Sequence, residues 1–260
     1  NLPNIAIVNT NFSKYSESII REKIKNIDRS KYYVHLYWGG YFPKNHTIDG
    51  HLISNYIWVQ KLYNFIEVLL GKLPGHYLER HFIKSLKKNK IKLVFAEFGT
   101  IGVKVLSSCK KANIPLIITL RGYDIHHKDN FETNKNQYLK LFEYCSLTLC
   151  VSKEIMLKVD TLGFSAKTKY FHSAINTKLF SYSNHQKNPA IFLAIGRFTE
   201  TKSPHLTILA FNEVLKNIPD AQLRMIGKDG GGDDLMSSLG MNASDVASLQ
   251  KMLGLGANDT

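Results

Sequence analysis

The chain has 260 residues, 44% of them hydrophobic and 11% aromatic, which is too much apolar material for global disorder and enough for one large domain or two modest ones. Lys and Arg number 34 against 21 Asp and Glu, a net charge of +13, so the surface favours anionic partners: phosphorylated small molecules, an anionic membrane face or nucleic acid. Cys109, Cys145 and Cys150 form no even framework and no Cys-x-x-Cys pair, and no apolar run approaches the roughly 18 to 20 residues of a membrane span. With Asn1-Leu2-Pro3-Asn4 lacking a signal-peptide pattern, the expectation is a reduced, cytoplasmic chain whose membrane contact is peripheral.

Short β-rich runs alternate with helix-period segments, the pattern of βαβ units around a parallel sheet. Residues 5–8, Ile-Ala-Ile-Val, read as a buried first strand, and Ile20, Ile24 and Ile27 at i, i+4, i+7 mark the helix after it. Further strands are predicted at 32–37, 91–96, 115–120, 147–151, 169–171, 191–195 and 222–226, with helices such as 101–111 and 153–162 between them. Residues 52–92 break this rhythm. An apolar stripe through Ile57, Trp58, Leu62, Phe65, Ile66 and Leu69, then a basic run through Lys84, Lys87, Lys88, Lys90 and Lys92, predict two helices there. These serve either as core with a solvated lysine face or as a basic amphipathic surface on anionic lipid. The polar stretch 181–189 reads as a linker, which divides the chain into 1–180, 181–189 and 190–260. Two clear strands in the last portion are few for a doubly wound domain, so that domain is expected to be incomplete.

In open α/β sheets ligands bind beyond the carboxyl ends of the strands. Those ends carry Asn9, Glu97, Arg121 with Asp124, Ser152 and Arg197, although polar residues at strand ends also serve as ordinary turn chemistry. Residues 195–204 are the most informative stretch. Ser203 is a good N-cap and Pro204 a good first helical residue, so a helix with free N–H groups starts between the cations Arg197 and Lys202. Such a constellation suits a diphosphate. Gly227-Lys228-Asp229-Gly230-Gly231-Gly232 lacks the phosphate-loop order and reads either as a turn that lets a nucleotide approach the backbone or as a flexible turn. There is no Asp-x-Asp, no His-Glu-x-x-His and no close Cys/His cluster, so no metal cofactor is expected. The basic residues are spread along the chain without a nucleic-acid motif, and nucleic acid is not expected as a partner.

Ile195-Gly196-Arg197 with Lys202, preceded by Val151-Ser152-Lys153-Glu154, by Thr119-Leu120-Arg121-Gly122-Tyr123-Asp124 and by residues 12–18 (Phe-Ser-Lys-Tyr-Ser-Glu-Ser), resembles family 4 of the retaining glycosyltransferases. The resemblance runs in order from the first strand to about Gly231. It implies an α/β fold of two Rossmann-like domains (GT-B), with the acceptor on the N-terminal domain, the nucleotide sugar on the C-terminal one and transfer in the cleft. By the same resemblance Arg197, Lys202, Ser203, Gly227 and Lys228 hold the donor diphosphate. Arg121, Asp124 and Glu97 belong to the catalytic side, and Asn9, Ser16 and Ser152 to the acceptor side. Arg121 stands where the family's His-Gly-x-Asp loop has histidine, and an arginine cannot act as a base at neutral pH. The family's pair of glutamates that grip the donor has no counterpart, since no glutamate follows Glu213.

The implied function is metal-independent transfer of a hexose from a nucleotide-diphospho-sugar to a glycan or lipid-linked acceptor in cell-envelope polysaccharide synthesis. The implied place is the cytoplasmic face of the membrane. A nucleotide-sugar epimerase of the same architecture is the alternative enzyme. A truncated, catalytically silent fragment that binds nucleotide or membrane is the non-enzymatic one, and a chain with half a donor site is expected to turn over poorly alone.

Overall fold

The structure, a computed structural model, describes residues 2–9, 18–39, 43, 45–48, 51–55, 76–126, 131–173, 175, 177–178, 180–182, 190–199 and 202–227. The chain divides into two compact units, Asn1–Phe180 and Ser181–Thr260.

Unit 1 is built on strands β1 (Asn4–Asn9), β2 (Tyr33–Trp38), β3 (Asn45–Ile48), β4 (His51–Asn55), β5 (Ile91–Glu97), β6 (Leu116–Leu120), β7 (Leu147–Cys150) and β8 (Thr168–Tyr170). They form one sheet in the order β4-β3-β2-β1-β5-β6-β7-β8. From β2 to β8 every neighbour is parallel, while β3 and β4 add an antiparallel edge. The helices are α1 (Ser18–Lys25), α2 (His76–Lys88), α3 (Gly99–Ala112), α4 (Gly122–His126), α5 (Lys135–Tyr144) and α6 (Lys153–Thr161).

Parallel strands covered by helices are buried on both faces, and β6 shows it: Leu116, Ile118 and Leu120 point one way, Thr119 the other, and all four are buried. Each such aliphatic side chain contributes about 1.5 to 3 kcal/mol by leaving water. Helix α3 packs on β5, β6, α2 and α5. It ends at Asn113, whose left-handed backbone (φ 54°) returns its N–H to the Cys109 and Lys110 carbonyls, a conformation asparagine tolerates. Because β1 has β2 on one side and β5 on the other, the winding of the chain reverses there, and the carboxyl ends of these strands are where a ligand crevice is expected.

Two helices across 52–92 do not describe the structure fully. Residues 51–55 are strand β4, paired with β3 so that Ile48 faces His51. Polar Asn, His and Thr hid both strands, although Asp49-Gly50 between them is a two-residue hairpin signal. Helix α2 occupies the latter part, and 56–75 lie outside the described residues.

Unit 2 has β9 (Ile191–Ile195), α7 (Pro204–Leu215) and β10 (Gln222–Ile226), and β10 lies parallel beside β9. Phe211 of α7 is buried and meets the Phe192 ring at 5.7 Å.

Candidate functional site

Glu97 closes β5 and lies beside Thr119 of β6. Its side chain is 1% exposed, a placement that costs several kcal/mol unless cations compensate for the lost water. Two do. Lys23 Nζ, reaching over from α1, is 2.7 Å from Oε1, and Arg121 Nη2, one residue beyond β6, is 3.7 Å from Oε2. The ammonium also donates to Thr119 Oγ1 at 3.3 Å and stands 3.9 Å from the centre of the Phe95 ring. Burial pushes Lys23 below the usual lysine range, and the attraction of Glu97 restores part of that.

Arg121 is held less completely. Its Nη1 donates to Ser173 Oγ at 3.3 Å and its Cζ lies 5.7 Å from the Phe98 ring. Among the described residues, Nε of Arg121 and Oε2 of Glu97 are both buried without a hydrogen-bond partner.

Asp124, fully buried in α4, stands behind this cluster. Oδ2 accepts the Arg121 N–H at 2.9 Å, and Oδ1 accepts the Thr100 N–H at 3.1 Å and the Tyr138 hydroxyl at 3.3 Å. The Gly99 N–H bonds it as well. A remote carboxylate thus caps the start of α3. Burial nevertheless raises its pKa above the ordinary aspartate value. Gly99 has to be glycine for this arrangement, because a Cβ there would sit 2.7 Å from Leu120 Cδ2 and from Tyr138 Cε1. Between Glu97 and Gly99, Phe98 holds φ 91° and ψ 141°, a conformation that strains a non-glycine residue by about 1 to 3 kcal/mol and marks functional sites.

Lys23, Thr119 and Arg121 line a cavity of about 540 Å³, together with Asn26, Val151, Phe171, Ser173 and Lys178. Asn9 and Ser152 are not part of its lining. Asn9 borders a separate narrow crevice of about 10 Å³ with Gly39 and Ile101. Ser152 Oγ accepts the Ile155 N–H at 3.2 Å and so caps α6, while its neighbour Val151 reaches the cavity. Ser16 is outside the described residues.

In unit 2, Arg197, Lys202, Ser203 and Gly227 come to one edge, beyond the carboxyl ends of β9 and β10. The Lys202 N–H donates to the Thr199 carbonyl at 2.9 Å and the Thr199 N–H to that of Arg197 at 3.0 Å, a tight turn that presents both cations to solvent. The Gly196 N–H donates to the Ile226 carbonyl at 2.9 Å, and a Cβ on Gly227 would collide with the Gly196 carbonyl oxygen. Helix α7 starts at Pro204 as expected, but the side chain of Ser203 does not cap it. Its backbone is left-handed (φ 44°, ψ 57°), whereas a capping serine needs an extended backbone to turn its oxygen toward the first N–H groups. Lys228 lies outside the described residues.

The residues that sequence reasoning passed over are Lys23, Thr119 and Ser173. Lys23 had a signal: it falls between Ile20 and Ile24 on the apolar face of α1, where a lysine is buried only against a carboxylate. Among the described residues, no three His, Cys, Asp or Glu side chains converge as a metal would need, and no helix is long and apolar enough to cross a membrane.

No family model matches the chain, and no curated protein matches it in sequence. Solved structures do match. A sucrose-phosphate synthase of Thermosynechococcus elongatus aligns over 99% of this chain and 69% of its own, with a TM-score of 0.66 and 16% identity. HepE of Anabaena in complex with UDP aligns over 98% of this chain and 67% of its own, at TM-score 0.62 and 14% identity. A UDP-GlcNAc 2-epimerase of Neisseria meningitidis bound to UDP-GlcNAc covers 98% and 70%, at 0.52 and 12%. At these identities the likeness is one of fold, and the chain is an α/β protein of the two-Rossmann-domain GT-B architecture.

Proposed function

We propose that the chain is a metal-independent, retaining glycosyltransferase of the family 4 type. It moves a hexose from a nucleotide-diphospho-sugar to a glycan or lipid-linked acceptor in cell-envelope polysaccharide synthesis. The observation that carries this reading is the edge of unit 2, where Arg197, Lys202 and the start of α7 gather beside Gly227, at which the backbone of the two strands runs too close for any side chain. When a sugar leaves a nucleotide, negative charge grows on the departing diphosphate. A guanidinium, an ammonium and the positive end of a helix stabilise it there. HepE in complex with UDP and glucose shares the fold and supports the donor class.

The acceptor belongs to unit 1 in this reading. Arg121 contacts it, Glu97 sets the charge of the cluster, and Asp124 positions the loop, with Asn9, Ser16 and Ser152 on the same side. The exposed Lys84, Lys87 and Lys88 of α2, followed by the exposed Lys90 and Lys92, would rest on an anionic membrane at its cytoplasmic face.

A second reading, a nucleotide-sugar epimerase, draws on the likeness to the UDP-GlcNAc 2-epimerase. Product analysis with labelled nucleotide sugars and an envelope glycan fraction separates the two. Label moving to the acceptor with release of nucleoside diphosphate supports transfer. A new epimer supports the second reading. Nucleotide binding with neither product fits a silent nucleotide-binding chain, and neither binding nor product contradicts both enzyme readings.

A further inference from the structure

We propose that the 540 Å³ cavity of unit 1 binds a phosphate monoester carried by the acceptor, with Arg121 as its anchor. The proposal rests on the reading of unit 1 as the acceptor side and narrows it to a chemical class.

Three observations on the cavity wall point to an anion. A guanidinium carries five N–H donors in a rigid fork. Among the described residues that of Arg121 makes one hydrogen bond, to Ser173, while Nε is buried without a partner and Glu97 lies at 3.7 Å, beyond hydrogen-bonding range. Second, the described wall is basic: Lys23 and Arg121 meet at the buried carboxylate of Glu97, Lys178 also lines the cavity, and the Glu22 carboxylate there is engaged by Lys25 at 2.9 Å. Third, the space and its other surfaces suit a small polar molecule: the volume is in the range of ligand sites, Thr119 and Ser173 offer hydroxyls, and the half-exposed Phe171 offers a flat apolar face.

A neutral sugar would leave the arginine fork unanswered. A phosphate monoester supplies up to two negative charges and three acceptor oxygens in the geometry that the fork recognises. That group occurs on a sugar phosphate and on a lipid phosphate alike.

Calorimetric titration of the whole chain at fixed ionic strength tests this, with glucose 6-phosphate, glucose and dihexanoyl phosphatidic acid, a lipid phosphate soluble below its micelle concentration. At least one phosphate ligand should bind roughly tenfold or more tightly than glucose, as charge-assisted bonds require, and the tighter of the two identifies the source. Arg121→Lys keeps a cation beside Glu97 and so preserves the fold, but it removes the fork. It should weaken the phosphate ligand by about tenfold and leave UDP binding unchanged. Binding of glucose as tight as that of both phosphate ligands, no binding of either phosphate, or an unaltered affinity in Arg121→Lys would overturn the proposal. UDP binding without phosphate binding removes this inference and keeps the donor reading. Phosphate binding without UDP binding keeps the cavity as a phosphate site and removes the transferase reading.

Discussion

Lys23 is the residue on which the charged cluster turns, because it reaches from the apolar face of α1 to a carboxylate that water does not touch. Substituting Lys23→Met would preserve the length and the packing of the stem but leave Glu97 with Arg121, at 3.7 Å, as its compensating charge. Removing one partner of a largely buried pair should destabilise unit 1 by about 2 to 3 kcal/mol, measured as a fall in the denaturant midpoint. Adding Glu97→Gln should recover part of the loss, since the orphaned charge is then gone. No change in Lys23→Met would show that the pair is solvated. Glu97 and Arg121 were visible in the sequence as strand-end residues, and their meeting follows from β5 and β6 being parallel neighbours. Lys23 was not singled out because its helix was recognised by its isoleucines, and an apolar stripe draws attention away from the cation inside it. Ser203 shows the opposite failure: the Ser-Pro pair located the start of α7 correctly, yet a left-handed backbone deprived the serine of its capping geometry.

The antiparallel neighbours β2 and β3 are joined by more than backbone pairing. His35 Nδ1 and His46 Nε2 are 2.9 Å apart, His35 Nε2 meets Asn4 Oδ1 at 3.1 Å, and the Tyr37 ring stacks on His46 at 4.2 Å. Both imidazoles are buried, and burial, with the charge of His35 as a smaller cause, holds the His46 pKa down to about 4 from the ordinary 6.5. A histidine with a depressed folded pKa binds fewer protons folded than unfolded between those values, so stability is complete above about pH 6.5 and falls as pH drops toward 4. The full loss is at most about 3 kcal/mol for this shift. Denaturant unfolding at pH 7 and pH 4.5 should show the decline, and His46→Gln should flatten it; an equal decline in the variant would remove the histidine pair as its cause. Beyond β2, none of this antiparallel edge was read from the sequence: β3 and β4 are rich in Asn, His, Thr and Ser, and Asp49-Gly50 between them was the one signal left.

At the scale of the whole chain, four short motifs in order pointed to the GT-B architecture where none would have done so alone. The charge geometry was not legible, since it depends on side chains brought from three separate elements. The two units also differ in how much they bury. Unit 1 holds nearly all of the buried apolar side chains among the described residues, whereas in unit 2 Leu193, Ile195, Leu206, Leu209 and Ile226 remain exposed. Hydrogen exchange should therefore protect β5 to β7 more than β9 and β10 by about 3 kcal/mol, roughly a hundredfold in rate. Equal protection would mean that unit 2 is covered in solution. The central claim is that unit 2 nevertheless holds a nucleoside diphosphate through Arg197 and Lys202. Titration of UDP into the chain tests it most directly: binding should be measurable and should weaken by roughly 1.5 to 3 kcal/mol in both Arg197→Ala and Lys202→Ala. No binding to the parent chain, or an affinity unchanged in both variants, would contradict it.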